Sequence, residues 1–513
     1  MSNFYITTAI PYVNAKPHIG FALELIQADV IARAKREELV KENVLFLTGT
    51  DENSIKNVQA AEKAGVPIQE FVDENADVFK RLTKALDISN DDFIRTTEPR
   101  HIVGAKKLWQ ECAKDIFKKS YEGLYCTGCE QFYLEKDLVD GICPEHKTKP
   151  EAVKEENWFF KLSAYQEFLE KAFAERRIRI HPASRQREIT NFIAEGLEDF
   201  SISRSNERAK NWGVDVPGDP TQKMYVWFDA LANYITALGY PSTTLGASGS
   251  VLEKFWLSPE TNILHVIGKG ITRFHAIYWP AMLESAGVFP KNGLDILVHG
   301  YVTVNGEKIS KSLGNTVDPF ELVSIYGTDA VRYFLLREIP LFEDGDFTIE
   351  KFETRYNGEL ANGIGNLVQR ATTLAEKYGL ASLRLTEKEF IKKPSLGELG
   401  FVPTGVDESY YTLFFYDLRM LLSALRQRVV EMDQYIETGR VWEKSGEEQE
   451  RHLANLSARL LHVAVLLKPV LPSTAKEIFK RFGVSETLTL ADIKYGLKIS
   501  AKKGEPLFPR LQK

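Results

Sequence analysis

Cysteine is scarce in this chain, with four in 513 residues, too few for the disulfide framework of a secreted scaffold. No apolar run approaches the ~18 residues of a membrane span, and the N-terminus has no basic stretch leading into an apolar one. We therefore expect a cytoplasmic protein with no membrane partner. An excess of positive charge is missing too. The formal net charge is -6, which argues against indiscriminate nucleic-acid binding and leaves any RNA contact to local basic and aromatic patches. There are no internal repeats and no low-complexity tracts. The G-x-x-x-x-G-K-[ST] loop is also absent, which makes a P-loop nucleotide enzyme a poor fit. What is present, 44% apolar and 27% charged residues, is the composition of a soluble globular protein long enough for several domains with ample core.

Three of the four cysteines cluster. Cys126-Thr127-Gly128-Cys129 is followed, after 13 residues, by Cys143-Pro144-Glu145-His146. Two such knuckles supply three thiolates and an imidazole in a tetrahedron, and Gly128 and Pro144 permit the tight turns. The set is closed, with no position for a reactive water, so the expected zinc is structural. The competing readings are a disulfide, which a cytosolic setting disfavours, and idle thiols, which the spacing disfavours. Cys112 lies outside the pattern, in an expected helix from Ala105 to Phe117, and reads as core.

Two further stretches point to a polyphosphate. Pro17-His18-Ile19-Gly20 follows the β-prone run Phe4-Tyr5-Ile6, with Pro11 and Asn14 breaking the strand and Pro17 suited to the first turn of a helix running through Glu24 and Ile31. That places His18 at a helix N-terminus, where N–H groups and the dipole favour phosphate. Lys308-Ile309-Ser310-Lys311-Ser312 lies between Gly306 and Gly314, so the backbone can bring two ammonium groups onto a polyphosphate. Each stretch alone is also compatible with chance or with solvated surface; their order and separation in one chain strengthen the joint reading.

The coarse organisation is a nucleotide-binding α/β sheet, interrupted and then resumed, followed by helices. Val44-Leu45-Phe46-Leu47 reads as a buried strand, with Asp51 beyond its C-terminal end, where such sheets present ligand groups. Tyr225-Val226-Trp227-Phe228 and Ile263-Leu264-His265-Val266-Ile267 read as strands, and a helix bearing His275 and Trp279 follows the latter. From about residue 355 the pattern is helical. Leu360, Ile364, Leu367, Ala371 and Leu374 share one face, Leu418, Leu421, Leu422, Leu425 and Val429 another, and Leu453, Leu456, Leu460 and Val463 a third. The Gly- and Pro-bearing stretch from Glu387 to Glu408 reads as a connection between helices.

With these residues in place, the whole chain resembles the methionyl-tRNA synthetases, class I enzymes of the single zinc-knuckle type. The resemblance rests on Thr7-Thr8-Ala9-Ile10-Pro11-Tyr12, Leu47-Thr48-Gly49-Thr50-Asp51-Glu52, the zinc module, Glu156-Asn157-Trp158-Phe159-Phe160-Lys161-Leu162-Ser163, Tyr225-Val226-Trp227-Phe228-Asp229-Ala230 and Arg273-Phe274-His275. The two phosphate stretches and the closing Pro506-Leu507-Phe508-Pro509-Arg510 complete it. It implies a Rossmann-like nucleotide-binding domain (1–115 and 222–295) split by a zinc-bearing connective insertion (116–221). A stem-contact region with the lysine loop (296–355), an all-α anticodon-binding bundle (356–480) and a tail folding back (481–513) then follow.

The resemblance also implies an activity and its residues. Methionine attacks Mg-ATP to give methionyl-adenylate, and the methionyl group then passes to tRNA(Met). The methionine side chain is expected among Ile10, Tyr12, Trp227, Ala230, Leu231, Tyr234, Ile271, Phe274 and His275, with Asp51 on its ammonium. Aromatic walls suit a polarizable thioether and a carboxylate suits an amine, although Trp227, Tyr234 and Phe274 taken singly read as ordinary core. ATP contacts fall to His18, Gly20, Lys308, Ser310 and Lys311, with His18, Lys308 and Lys311 in catalytic roles. Catalysis then needs no protein nucleophile, only positioning and stabilisation of developing phosphate charge. Asn366 and Arg370, four apart on one helix face, and a stacking Trp442 match anticodon readers. The alternative for that trio is surface polarity and a packed tryptophan.

The chain departs from the family pattern at several positions. Phe21 stands for a second histidine, Asn53-Ser54 for His-Gly, Gly270 for an aspartate near the ATP ribose, Leu231 for a common proline, and Val441 for the proline before the tryptophan. Phe21, Asn53 and Gly270 motivate a rival, a weakened paralogue that binds methionine or RNA without efficient charging. An isoleucyl, valyl or leucyl enzyme is a second rival, but the span 116–221 leaves no room for the larger editing insertion of those families. A monomer is the simpler expectation, since no appended module follows the tail.

Overall fold

The computed structural model describes residues 2–126, 131–133, 135, 138–144, 147–241, 250–309, 314–383 and 418–511. These fall into two compact units, one comprising Met1–Lys16, Glu42–Lys80 and Asn90–Val298 and the other Pro17–Lys41, Arg81–Ser89 and His299–Lys513.

The first unit is built on a six-stranded parallel sheet. Its strands are β1 (Asn3–Thr8), β2 (Val44–Thr50), β3 (Asp92–Arg95), β4 (Ile178–His181), β5 (Thr261–Gly268) and β6 (Leu294–His299), and their spatial order is β3-β2-β1-β5-β6-β4. Strands of a sheet covered on both faces read as continuous apolar runs rather than alternations. All six residues of β1 are buried, as are all but one of β2. The threonines in these strands remain satisfied: Thr8 Oγ1 lies 2.7 Å from Thr48 Oγ1 and Thr7 Oγ1 lies 2.7 Å from His265 Nδ1. Strand order reverses between β1 and β5, and open α/β sheets hold ligands at the C-terminal ends of the strands flanking such a switch point.

Between β3 and β5 the chain builds a second, antiparallel sheet. Ile116–Cys126 pairs with Glu151–Phe160 from Ile116 opposite Phe160 to Tyr125 opposite Glu151, with Gln131–Tyr133 and Phe200–Ser201 on the two sides. The same stretch of chain supplies β4, the edge strand of the central sheet, where Ile178 sits opposite Leu294.

Two sequence expectations shift here. Tyr225-Val226-Trp227-Phe228 is not a strand: Val226–Leu231 is helical, with Tyr225 as its N-cap residue. Its β-prone side chains are packed into the core on nearly every side, and such packing overrides a propensity worth under about 1 kcal/mol per residue. The helix expected from Ala105 to Phe117 runs instead from Pro99 to Glu111, with Pro99 in its first turn, and Ile116 already opens a strand. Cys112 does fall in the core, fully buried with Sγ 3.4 Å from the Met282 carbonyl oxygen, and burial pushes its thiol up to about 12.

The second unit begins with the helix α1 (Ile19–Glu38) and is otherwise mainly helical after residue 319. A hairpin, Val302–Val304 against Glu307–Lys308, turns through Asn305 and Gly306, both at positive φ (54° and 79°), the conformation a two-residue turn requires. Most residues of the expected apolar faces are buried: Leu360, Ile364, Leu367 and Ala371; Leu422, Leu425 and Val429; Leu453, Leu456, Leu460 and Val463, with Leu374 and Leu421 half-buried. The first stripe crosses a wide π-type segment, Tyr356–Gly365, whose backbone is non-helical at Gly363. The connection from Glu387 to Glu408 lies outside the described residues.

Candidate functional site

Loops leaving the C-terminal ends of three neighbouring strands carry most of the expected methionine residues. Ile10 and Tyr12 follow β1, Asp51 follows β2, and Ile271, Phe274 and His275 follow β5. Tyr12 and Asp51 pair in an isolated parallel bridge, and the Asp51 amide donates to the Pro11 carbonyl at 2.9 Å. The two strand extensions are thus zipped together just past the sheet.

The remaining residues come from the helix Val226–Leu231, the short helix Asn233–Thr236 and the turn Phe274–Tyr278. That turn is π-type and leads into Trp279–Ser285, whose Pro280 can neither donate nor tolerate a close Ala276 carbonyl; widening the helix relieves that conflict. Trp227 lies flat on Phe274, ring centroids 3.9 Å apart and planes within 7°, with His275 edge-on at 6.4 Å. His275 Nδ1 is 2.9 Å from the Ile271 carbonyl, which only accepts, so Nδ1 carries the proton and Nε2 accepts from the Tyr234 hydroxyl at 2.7 Å. Burial lowers the His275 pKa to about 4, which keeps the ring neutral. Behind it, His265 is also buried and its pKa lies well below the ordinary value. Ala230, Leu231, Tyr234, Phe274 and His275 are buried, whereas Ile10, Tyr12, Trp227 and Ile271 retain partial exposure and form the accessible side.

The loop after β2 is held at every residue. Asp51 Oδ1 accepts from the Asn53 amide at 3.2 Å. Glu52, fully buried, receives a bidentate pair from Arg95 at 2.7 and 2.8 Å and a bond from Thr50. The Asn53 side-chain NH2 donates to Asp229 Oδ2 at 2.7 Å and to the Thr96 carbonyl at 3.2 Å. Ser54 caps the helix Ile55–Ala64, accepting from Lys56 N at 3.0 Å. The two departures at 53 and 54 therefore have structural employment here. Sequence reasoning missed Asp229 and His101 as members of this constellation; a carboxylate inside the apolar run Tyr225–Leu231 was the one available signal.

The phosphate signatures lie in the second unit. The helix starts at Ile19, two residues later than expected, and His18 is its N-cap: the ring accepts from the Gly20 amide at 3.0 Å through Nδ1, so a neutral ring carries its proton on Nε2. A Cβ at position 20 would sit 2.9 Å from His18 Cε1, so any larger residue there pushes the ring out of its capping position. The first-turn amides are not free to bind an anion as expected. Ile19 N–H goes to Val317 O at 3.2 Å, Gly20 to the His18 ring, and Phe21 and Ala22 to His18 O. The Ile19–Val317 bond ties the first signature to the segment just beyond the second. Phe21 is buried, where an apolar ring needs no polar partner. Lys308 closes the hairpin, while Ser310 and Lys311 lie outside the described residues. Gly270 occupies a short turn, Lys269–Ile271, directly after β5.

In the bundle, Asn366 and Arg370 lie one turn apart on the helix Asn366–Lys377. The Arg370 guanidinium reaches Asp433 at 3.1 Å and also Glu437, both on the helix Leu418–Gly439. Trp442 stands just past the end of that helix, 45% exposed, on a turn anchored by the buried Val441. Exposure on that scale does not fit a packed core tryptophan.

Two of the four expected metal ligands are described. Cys126 and Cys143 are buried and share a small cluster with Tyr133, and Lys147 N–H bonds to the Cys143 carbonyl at 2.9 Å. Two inward thiols on a strand end and a turn fit a zinc knuckle. Cys129 and His146 lie outside the described residues, and among the described ones no group of three metal-ligating side chains occurs. No helix among the described residues is long and apolar enough to cross a membrane.

Comparison with known proteins bears on this arrangement. The family described as tRNA synthetases class I (M) matches residues 4–152 and 146–372. The methionine–tRNA ligase of Caldanaerobacter subterraneus subsp. tengcongensis is 41% identical over 521 residues, covering 99% of this chain and 79% of that protein. That of Brucella suis biovar 1 is 38% identical, covering 99% and 98%. Among solved structures, Mycobacterium tuberculosis methionyl-tRNA synthetase in complex with methionyl-adenylate aligns with a TM-score of 0.87 at 36% identity, covering 99% of this chain and all of that one. Its apo form aligns at 0.81 and 33%, covering 100% and 99%.

Proposed function

The chain belongs to the methionyl-tRNA synthetase family of class I synthetases, and from that premise we infer how its own residues divide the work of a methionine–tRNA ligase. The activity is ATP-dependent activation of methionine, with Mg accompanying ATP, and transfer of the methionyl group to tRNA in protein synthesis. The rival reading as a weakened paralogue finds no support in these relatives.

Methionine binds in the first unit. Asp51 pairs with its ammonium, and Trp227, Phe274, Tyr234 and His275 enclose the thioether, with Ile10, Tyr12, Ala230, Leu231 and Ile271 completing the walls. The observation that carries this is the convergence of Asp51, Ile271, Phe274 and His275 at the C-terminal ends of β2 and β5, on either side of the switch point. A neutral His275 that accepts from Tyr234 presents no charge to the sulfur, and the pocket stays apolar.

ATP engages the second unit through His18, Gly20, Lys308, Ser310 and Lys311. The His18 Nε2–H, turned out by the cap on Nδ1, donates to a phosphate oxygen. Lys308 and Lys311 take up charge as pyrophosphate leaves, so catalysis is positioning and electrostatics. Asn366, Arg370 and Trp442 read a CAU anticodon, and Cys126, Cys129, Cys143 and His146 hold one structural zinc that stabilises the insertion. We propose the functional division that the resemblance implies, with catalytic halves 1–115 and 222–295, insertion 116–221, stem-contact region 296–355, bundle 356–480 and tail 481–513. A cytoplasmic monomer is the simplest state.

Methionine-dependent ATP–pyrophosphate exchange tests the assignment. Asp51→Asn is expected to raise the methionine KM, and Lys311→Ala to depress kcat with methionine affinity intact. The reverse pattern would overturn both roles.

A further inference from the structure

A buried polar chain joins the loop after β2 to the helix that carries Trp227, Ala230 and Leu231, and nothing in the assigned chemistry uses it. Its centre is Asp229, 1% exposed, on the helix that also carries Trp227, Ala230 and Leu231. One carboxylate oxygen accepts from Asn53 Nδ2 at 2.7 Å; the other lies 2.8 Å from Nε2 of His101, itself fully buried. His101 Nδ1 lies 2.9 Å from the Thr236 hydroxyl, two residues beyond Tyr234. Nε2 of His101 faces a carboxylate and donates to it, while Nδ1 shares the Thr236 hydroxyl with the Asn233 carbonyl, 3.3 Å from that oxygen. The orientation of the Asn53 amide is fixed in the same way, because both of its partners, Asp229 and the Thr96 carbonyl, only accept.

Asn53 links Asp51 to the helix that carries Trp227, Ala230 and Leu231. Its side chain is fastened to the helix bearing the thioether wall, while its backbone N–H donates to Asp51 Oδ1 at 3.2 Å. We propose that Asn53 is a positioning residue: anchored by the Asp229–His101 pair, it sets the Asp51 carboxylate for the substrate ammonium. The inference rests on the reading of Asp51 as the ammonium partner. A carboxylate free to swing loses much of its advantage for a bound ammonium, because the geometry must then be fixed at the moment of binding. The carbonyl of the same Glu52–Asn53 peptide accepts from Trp212 Nε1 at 2.7 Å, so the side-chain anchor of Asn53 acts together with that bond in aiming the N–H at Oδ1.

The test compares methionine with 4-(methylthio)butanoate, which keeps the thioether and carboxylate but lacks the amine. Asn53→Ala, and separately the near-isosteric Asn53→Asp, which sets a carboxylate against Asp229, are expected to raise the methionine KM by about tenfold or more. The inhibition constant of the desamino analogue and the KM for ATP should move by less than about twofold. Asn53→Gln, which can still reach Asp229, should recover part of the loss. Equal weakening of methionine and the analogue would mean that the pocket has merely loosened, and an unchanged methionine KM would mean that Asp51 needs no anchor; either overturns the proposal. Should the position 53 variants fold poorly, His101→Gln is the second probe, with the same discrimination between ligands expected. Asp51→Asn run in parallel separates the two levels. If it discriminates between methionine and the analogue while the Asn53 and His101 variants do not, only the positioning role fails. If Asp51→Asn itself does not discriminate, the ammonium assignment fails first and the positioning role with it.

Discussion

Tyr234 donates its hydroxyl to Nε2 of His275 at 2.7 Å, and it can do so only because Nδ1 of that ring is committed to the Ile271 carbonyl. The pair fixes the tautomer, and burial holds the His275 pKa at about 4. In the unfolded chain the ring would titrate near its ordinary value of about 6.5. Between these values the unfolded state binds the proton and the native state does not, so this contribution to stability is complete above about pH 6.5 and is lost as pH falls towards 4. At pH 5 the loss amounts to roughly 2 kcal/mol. Urea midpoints of the parent and His275→Gln proteins at pH 7.5 and 5 provide the check: the variant should lose that share of the acid sensitivity. An identical pH response in both would show that His275 does not titrate in this way.

The cap on α1 gives a second expectation. A methyl group at position 20 displaces the His18 ring from its cap, and the far side of that ring carries the proton offered to phosphate. Gly20→Ala should therefore lower kcat for pyrophosphate exchange by about a hundredfold, comparable to removing one transition-state donor. Methionine affinity, measured by equilibrium dialysis, should be unchanged, since the pocket for it belongs to the other unit. Loss of methionine affinity together with exchange would place the defect in folding rather than in His18.

Much of this was legible in the sequence, and the failures share a cause. The apolar runs of β1, β2 and β5 announced a buried sheet, and Asp51 was expected just past a strand end, where it lies, because both depend on local pattern. Tyr225–Phe228 misled because its residues are β-prone in isolation, while what surrounds them is decided by elements far away in sequence. The same distance hid the anchor of Asn53: His101 and Asp229 come from two other helices, and no spacing rule links them. The N-cap role of His18 was half visible. A helix N-terminus was expected, but the use of its amides by Val317 and by the histidine itself appears only once the loops are placed.

The metal assignment makes a compositional prediction. Protein purified without chelator should contain one zinc per chain, and Cys129→Ser should lose it and lower the melting temperature of the insertion. Both Cys126 and Cys143 are buried beside Tyr133, so exchanging either for serine removes a ligand from an apolar setting and should do the same. Because a closed ligand set offers no site for substrate, residual activity should track the folded fraction. Elemental analysis combined with limited proteolysis reads both, and metal-free protein of full stability would refute the assignment.

The anticodon role proposed for Trp442 can be separated from methionine activation. Trp442 is 45% exposed and Val441 beside it is the buried anchor, so the turn holds its shape without the indole. Trp442→Ala should leave the melting temperature within about 1 °C of the parent, as expected for an exposed side chain. Pyrophosphate exchange, which involves no tRNA, should also be unaffected. Aminoacylation should instead lose the equivalent of about 1–3 kcal/mol, the worth of stacking one unpaired base, seen as a fall in kcat/KM for tRNA. Arg370 is already engaged by Asp433 and Glu437, so Arg370→Gln should reduce discrimination between tRNAs with and without CAU more than it reduces overall RNA affinity. If Trp442→Ala depressed exchange and charging equally, the indole would be supporting the fold and not reading the loop. If the parent charged both tRNA classes alike, the bundle would have no part in choosing among them, whatever the fate of methionine activation.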